Sequence, residues 1–208
     1  MMSDKFLLLA VALGMSVFAD AETKPQPFSA EDVFDLEFAS DPRISRNGAR
    51  IVYVRQTNDI MTDSTVSNLW IVNADGSGHR PLVSGTSSAS SPRWSVNGDR
   101  IAYVQSTANG TGIFVRWMDT GQTALLANLL KEPADLAWSP DGRWLAFVMT
   151  VPAKSEPIAK PREKPEGAEW SEPVKVIDTA QYRWDGRGFL EAAYEHIFVV
   201  PADGGRRA

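Results

Sequence analysis

The side chains in this sequence best suited to acid–base or nucleophilic work are carboxylates, serines and two histidines, His79 and His196. There is no cysteine to supply a thiolate, a disulfide or a sulfur-ligated metal. Asp141, in "WSPDGRWLAFV" (residues 138–148), poses the choice most sharply, because it is either an acid–base group or a turn residue. Asn47 and Asn97 fill the same slot in "DPRISRNGARIVYV" and "SPRWSVNGDRIAYV". A carboxamide cannot exchange a proton as a catalytic carboxylate does, so the slot belongs to turn chemistry, with Asn-Gly or Asp-Gly favouring tight hairpins of positive φ. The serines of "SGTSSASS" (residues 84–91) read as a polar loop, His79 as an outer-turn residue and His196 as the opening of a strand. No group of His, Asp and Glu has metal-ligand spacing, so neither a metal nor another cofactor is implied.

A second set stands near the C-terminal end, in "QYRWDGRGFLEAAYEH". Arg183, Asp185 and Arg187, with Glu191 and Glu195 behind them, are the candidate substrate-binding residues. An arginine can hold a carboxylate or carbonyl through two parallel hydrogen bonds, and a glutamate can hold an amino terminus. The competing reading is that Arg and Asp pair with each other to fix the loop, and Tyr182 and Trp184 read as anchors that pin it to the blade.

The elements that must position these groups come from an internal repeat. Serine recurs at 45, 95 and 139, and glycine at 48, 98 and 142, each time followed by an apolar run of strand character. A second element, "LWIVNADGSG", "IFVRWMDTGQ" and "IFVVPADGGR", places Asp75, Asp119 and Asp203 six residues after its opening aliphatic residue. One repeat is therefore four antiparallel strands, the unit of a β-propeller blade. The expected fold is all-β, a partial propeller of about three blades near 41–90, 91–133 and 134–208. Trp94 and Trp138 share one repeat position and are expected to pack between blades. A propeller closes with roughly four to eight blades, so the chain is expected to be the N-terminal part of a longer protein.

From the repeat glycine to the opening residue of the following strand is 21, 15 and 55 residues in the successive blades (48 to 69, 98 to 113 and 142 to 197), so residues 151–190 form an insertion in the third. Its first part, "PAKSEPIAKPREKPEGAEWSEP", is rich in Pro, Lys and Glu and reads as an extended loop, and "VIDTAQYRWDGRGF" as a short strand or hairpin. If the strands of a blade alternate direction, the insertion emerges at the end opposite both Asp-Gly turns, together with the links between blades.

The chain has 208 residues, 43% of them hydrophobic, and a net charge of -5 with no basic cluster, so nucleic acid is not an expected partner. Residues 1–21, "MMSDKFLLLAVALGMSVFADA", have a short polar start, an apolar run of about 14 residues and a small-x-small ending. This reads as a signal peptide cleaved after Ala21, too short for a stable membrane span, and predicts a periplasmic or secreted protein with a mature chain of residues 22–208.

The segments "FSAEDVFDLEFASDPRISRNGARIVYV", "WSPDGRWLAFV" and "YRWDGRGFLEAAYEHIFVVPADGG" together resemble the N-terminal propeller of the prolyl oligopeptidase family of serine peptidases, on the acylaminoacyl-peptidase and dipeptidyl-peptidase side. The resemblance covers nearly all of the expected mature chain; the turn repeat alone also occurs in TolB-like propellers. It implies a propeller that gates the access of short peptides to a C-terminal α/β-hydrolase domain holding Ser, Asp and His. No G-x-S-x-G elbow occurs in this chain, so it is expected to contain no catalytic residue and to hydrolyse nothing alone. The dipeptidyl relatives use paired glutamates, whereas Glu191 and Glu195 stand four apart, so that role is not carried over. The alternative is a non-enzymatic periplasmic TolB-like propeller that binds a protein partner, although such chains carry an α/β domain ahead of the propeller and these repeats begin within about 20 residues of the expected cleavage point.

Overall fold

The structure, a computed structural model, describes residues 27–153, 162–171, 177, 180–185, 188–190 and 192–204; the expected leader, Arg187 and Glu191 lie outside the described residues. After a short 3-10 turn at Glu31–Asp35, strands β1 (Glu37–Ile44), β2 (Arg50–Asp59), β3 (Ser64–Asn73) and β4 (Arg80–Val83) form one sheet in sequence order. A second four-stranded sheet follows as β5 (Ala89–Trp94), β6 (Arg100–Thr107), β7 (Gly110–Trp117) and β8 (Thr123–Leu129). The third pairs β9 (Ala134–Trp138) with β10 (Trp144–Pro152), and β10 with β13 (Ala193–Pro201), giving three strands among the described residues. Between β10 and β13 the insertion forms a small hairpin of β11 (Arg183–Trp184) and β12 (Gly188–Phe189). All pairings are antiparallel, and the molecule is a partial β-propeller whose sheets meet face to face.

Alternation along the strands sorts each sheet into two faces. Val52, Val54, Leu69 and Ile71 leave the first sheet and pack on Ile101 and Tyr103 of the second. Ala102, Val104, Ile113 and Val115, on the opposite face of the second sheet, pack on Leu145 and Phe147 of the third. Each sheet thus offers small and branched aliphatics forward and an aromatic cross-strand pair backward. In the second and third sheets these pairs are Tyr103 with Phe114, ring centroids 5.6 Å apart, and Phe147 with Phe198, at 5.5 Å, the first member of each buried and the second partly so.

Two tryptophans stitch these interfaces, as the repeat predicts. Trp94 Nε1 donates to the Arg43 carbonyl of the preceding sheet at 2.9 Å, and Trp138 Nε1 to the Arg93 carbonyl at 3.0 Å. The preceding sheet answers with an arginine. Arg50 lies over the Trp94 ring at 5.1 Å and donates to the Gly98 carbonyl, and Arg100 lies over Trp138 at 4.9 Å and donates to the Gly142 carbonyl at 3.0 Å. The arginines were not singled out from the sequence, where they read as ordinary strand-start cations.

The turns correct one expectation. Positive φ is confined to the glycines, 71° at Gly48, 72° at Gly98 and 68° at Gly142, and is not shared by Asn47, Asn97 or Asp141. Each loop is held from both sides by its serine. In the first, Ser45 N donates to the Arg50 carbonyl, Gly48 N to the Ser45 carbonyl, and Arg50 N to Ser45 Oγ at 2.9 Å. Ser95 and Ser139 repeat this, which explains why serine recurs and why Ser45 and Ser95 are buried polar groups without penalty.

The two turns of each blade are also tied together. Ala74 N donates to the Ala49 carbonyl, Met118 N to that of Asp99 and Ala202 N to that of Arg143. Both turns therefore share one end of the blade, and the β10–β13 insertion leaves from the other, where the links between sheets run. A further repeat was invisible in the sequence: Asp41, Ser91 and Asp135, at one repeat position, all have left-handed backbones of φ 45°, 54° and 52°. The first two lie within bulges of β1 and β5.

Replacing Arg100 by alanine removes a cation from an aromatic face and a hydrogen bond from a part-buried carbonyl. The expected loss is about 1–3 kcal/mol, read as a lower urea midpoint at unchanged slope; a midpoint equal to that of the unmodified chain would show that the clamp holds nothing.

Candidate functional site

Asp141 does what the repeat assigns to it. Ser139 Oγ donates to Asp141 Oδ1 at 2.5 Å and Arg143 N donates to the same oxygen at 3.0 Å. In the first turn the Asn47 carboxamide oxygen takes the same two bonds, from Ser45 Oγ and Ala49 N. In the second, Ser95 Oγ turns to Asp99 Oδ1 at 2.6 Å, which leaves Asn97 free of that duty. The serine hydroxyl is the main reason Asp141 and Asp99 sit below the ordinary carboxylate range, with the Arg143 amide next for Asp141. Such acids stay ionised as structural acceptors, the opposite of what a proton donor at neutral pH requires.

The insertion brings part of the predicted site together. Arg183 opens β11 and Asp185 follows Trp184 in the hairpin turn. They line, with Ala180, Gln181 and Tyr182, a shallow depression of about 370 Å3. The guanidinium of Arg183 lies 6.0 Å from the Phe189 ring centre across the hairpin, and Leu190 N closes back on the Tyr182 carbonyl at 2.8 Å. Glu195 stands apart, exposed on β13 and opposite Thr150. The Tyr182 ring stacks on Phe189 of its own hairpin, and both Tyr182 and Trp184 are nearly half exposed.

The histidines also have definite places. His79 Nε2 meets the Tyr53 hydroxyl at 2.7 Å and its ring lies against Trp70. His196 lies inside β13 opposite Met149, where the sequence reading placed the start of a strand. On β1 and β5, Asp41 is shared by Arg43 at 2.6 Å and Arg93 at 2.8 Å, an ion-paired cluster that sequence reasoning missed because Arg93 stands 52 residues from Asp41 in the chain. A depression of about 600 Å3 lies between the first two serine-closed turns, lined by Arg46, Asn47, Val96, Asn97 and Gly98. Among the described residues no three His, Asp or Glu side chains are grouped to hold a metal ion, and no helix is long and apolar enough to cross a membrane.

Repeated four-stranded sheets, face-to-face packing and serine-closed turns define a β-propeller. Residues 44–157 match the family model described as the TolB beta propeller domain, and the chain belongs to that family. Its sequence is also similar, 27% identical over 178 residues, to the uncharacterized peptidase YuxL of Bacillus subtilis, covering 85% of this chain and 26% of that protein. Its fold is similar to that of the Pyrococcus horikoshii acylaminoacyl peptidase, with a TM-score of 0.60 and 20% identity, over 82% of this chain and 24% of that one. It is likewise similar to the AtxE2 isopeptidase, with a TM-score of 0.56 and 16% identity, over 89% of this chain and 32% of that one. The chain thus spans about a quarter of the length of the first two, and the resemblance to peptidase propellers read from the sequence agrees with all three.

Because the folded-state carboxylate of Asp141 titrates below its unfolded value, its contribution is fully present above the ordinary aspartate range and fades as pH falls through that range and beyond. Asp141→Asn keeps the acceptor oxygen, as Asn47 does, and removes the titration. The gap between the urea midpoints of the unmodified chain and the variant is therefore expected to shift in favour of the variant as pH falls from 7 toward 3. A gap constant with pH would show that Asp141 is not linked to folding.

Proposed function

We propose that this chain is the propeller portion of an exported serine peptidase acting on short peptides, with the catalytic Ser, Asp and His carried by an α/β-hydrolase domain outside residues 1–208. The observation that carries the reading is the similarity to a peptidase along 85% of this chain, which accounts for only 26% of that peptidase. The reaction would be acylation of a serine, with its oxyanion held by fixed donors, followed by deacylation by water. The propeller's contribution would be steric: a ring of sheets over the active site admits short, extended peptides and rejects folded proteins.

The β10–β13 insertion leaves the blade at the end away from both turns, the end from which a following domain would be linked. In this reading the Arg183 and Asp185 depression borders the substrate chamber, and Arg183 holds a carboxylate or carbonyl of the peptide away from the scissile bond. A second reading, a propeller that binds a protein partner and catalyses nothing, draws on the TolB propeller family itself.

The test starts with the native open reading frame beyond Ala208 and the mass of its product. A product with a G-x-S-x-G elbow that cleaves chromogenic short peptides is the expected result; a product ending without a hydrolase domain would leave only the binding reading. In the active protein, Arg183→Ala is expected to raise KM about tenfold or more, the scale of one charge-assisted contact, with kcat within about twofold. An unchanged KM would reduce Arg183 to a brace of its hairpin.

A further inference from the structure

At the turn end of the blades, two side chains depart from the repeat side by side. The slot of Arg46 in the first serine-closed turn holds Val96 in the second and Pro140 in the third. The slot of Asn97 holds Asn47 in the first and Asp141 in the third, both of which brace their serine hydroxyls, whereas Ser95 has turned to Asp99. Arg46 and Asn97 both line the depression of about 600 Å3 between the first two turns. Neither side chain has a hydrogen bond or ion pair among the described residues. This notch lies between two sheets whose four strands are all described, so both of its walls are complete, and it is at the end of the blades away from the β10–β13 insertion.

The donors and charges around the notch suit an anion. The Arg46 guanidinium carries five N–H groups in a planar fork, and the Asn97 carboxamide adds two donors and an acceptor. The Asn47 oxygen is already taken by Ser45 Oγ and Ala49 N, which leaves this side chain its amide nitrogen as a further donor. Among the described residues no carboxylate lines the notch. The Gly98 carbonyl accepts from Arg50 Nη2 at 3.4 Å, which sets a second cation behind the wall. Asp99, next to Gly98 in the chain, accepts from Ser95 Oγ at 2.6 Å and lies 3.7 Å from Arg100 Nε, so its charge is met within its own turn.

The chain as a whole carries a charge of -5, so an anion bound here is held by local groups against the general field of the protein. The second interface supplies the contrast. There the corresponding slots hold Val96 and Asn97 on one side and Pro140 and Asp141 on the other, with the cation gone and a carboxylate added.

We propose that the notch between the first two turns binds an acidic peptide segment through a side-chain carboxylate. Arg46 takes the carboxylate with two parallel N–H bonds, Val96 packs on its aliphatic stem, and the Asn97 carboxamide, donor and acceptor in one plane, pairs with the N–H and C=O of the peptide unit. The volume favours a segment over a lone anion, since it falls in the range of roughly 300–1,000 Å3 that pockets for drug-sized ligands occupy. The inference stands apart from the peptidase reading, because the notch is at the end of the blades away from the insertion that carries Arg183 and Asp185, and because binding is read without cleavage.

The test uses the full-length product of the native open reading frame and a fluorescently labelled, end-blocked pentapeptide carrying two glutamates, with the initial anisotropy as readout. The unmodified protein is expected to bind this peptide about tenfold or more tightly than its glutamine counterpart, and Arg46→Ala is expected to lose about tenfold or more in affinity, the scale of one charge-assisted contact. Asn97→Asp is a second variant that the repeat already accepts, since Asp141 fills that slot in the third turn. It sets a carboxylate against that of the ligand and is expected to weaken binding by a similar factor, more at low salt than at high. No binding, equal binding of the glutamine peptide, or an unchanged affinity in either variant would overturn the proposal. Free glutarate that displaces the peptide at equal concentration would overturn the peptide as ligand and assign the notch to a small dicarboxylate.

Discussion

The meeting of one sheet with the next is the interaction on which the rest of this molecule depends. A single four-stranded sheet has no interior, so a residue such as Val52 or Ile113 becomes buried only when the following sheet covers it. The apolar burial supplies the driving force without direction. Direction comes from the polar clamp, in which the tryptophan indole reaches back to a carbonyl and the arginine reaches forward over the ring to the next turn. Each clamp brings together a cation, a ring and two backbone carbonyls, and it sets the sliding position of one sheet on another.

Turn chemistry then serves the interfaces. The serine-closed loop presents its glycine carbonyl outward, and it is that carbonyl, at Gly98 and Gly142, that the preceding arginine reaches. Glycine is needed there for its left-handed backbone, and the serine for holding the flanking strands in register through both its amide and its hydroxyl. The carboxylate or carboxamide beside the glycine is a brace for the hydroxyl. Asp141, read on its own, looks like a candidate acid; read in its loop, it is an acceptor whose ionised form the fold prefers.

The proposed function rests on what departs from the repeat. The first two β2–β3 type connections are short, whereas the third blade inserts a long segment that carries Arg183 and Asp185 on a hairpin of its own. A rigid stack with one elaborated connection is a common way to place recognition on a scaffold without disturbing its core. Similarity to peptidase propellers gives that departure a setting, since the chain accounts for about a quarter of the peptidases it matches.

The architecture was legible in the sequence because local chemistry recurs: a serine, an Asn or Asp with its glycine, and an apolar run at a constant offset determine strand, turn and strand whatever lies beyond them. The tryptophans could be assigned to interfaces for the same reason. The tertiary structure alone decided which groups meet across the interfaces. Arg50 and Arg100, the shared carboxylate of Asp41, and the left-handed residues at 41, 91 and 135 carry no local signal, because their partners lie tens of residues away and arrive only when sheets stack. It also decided that Arg183 and Asp185 share a depression while Glu195 stands on another strand, since a hairpin turn brings near neighbours together and β13 is positioned by its pairing with β10. Spacing along a chain reports periodic local structure; contact between distant segments depends on how faces pack, and that is a property of the whole fold.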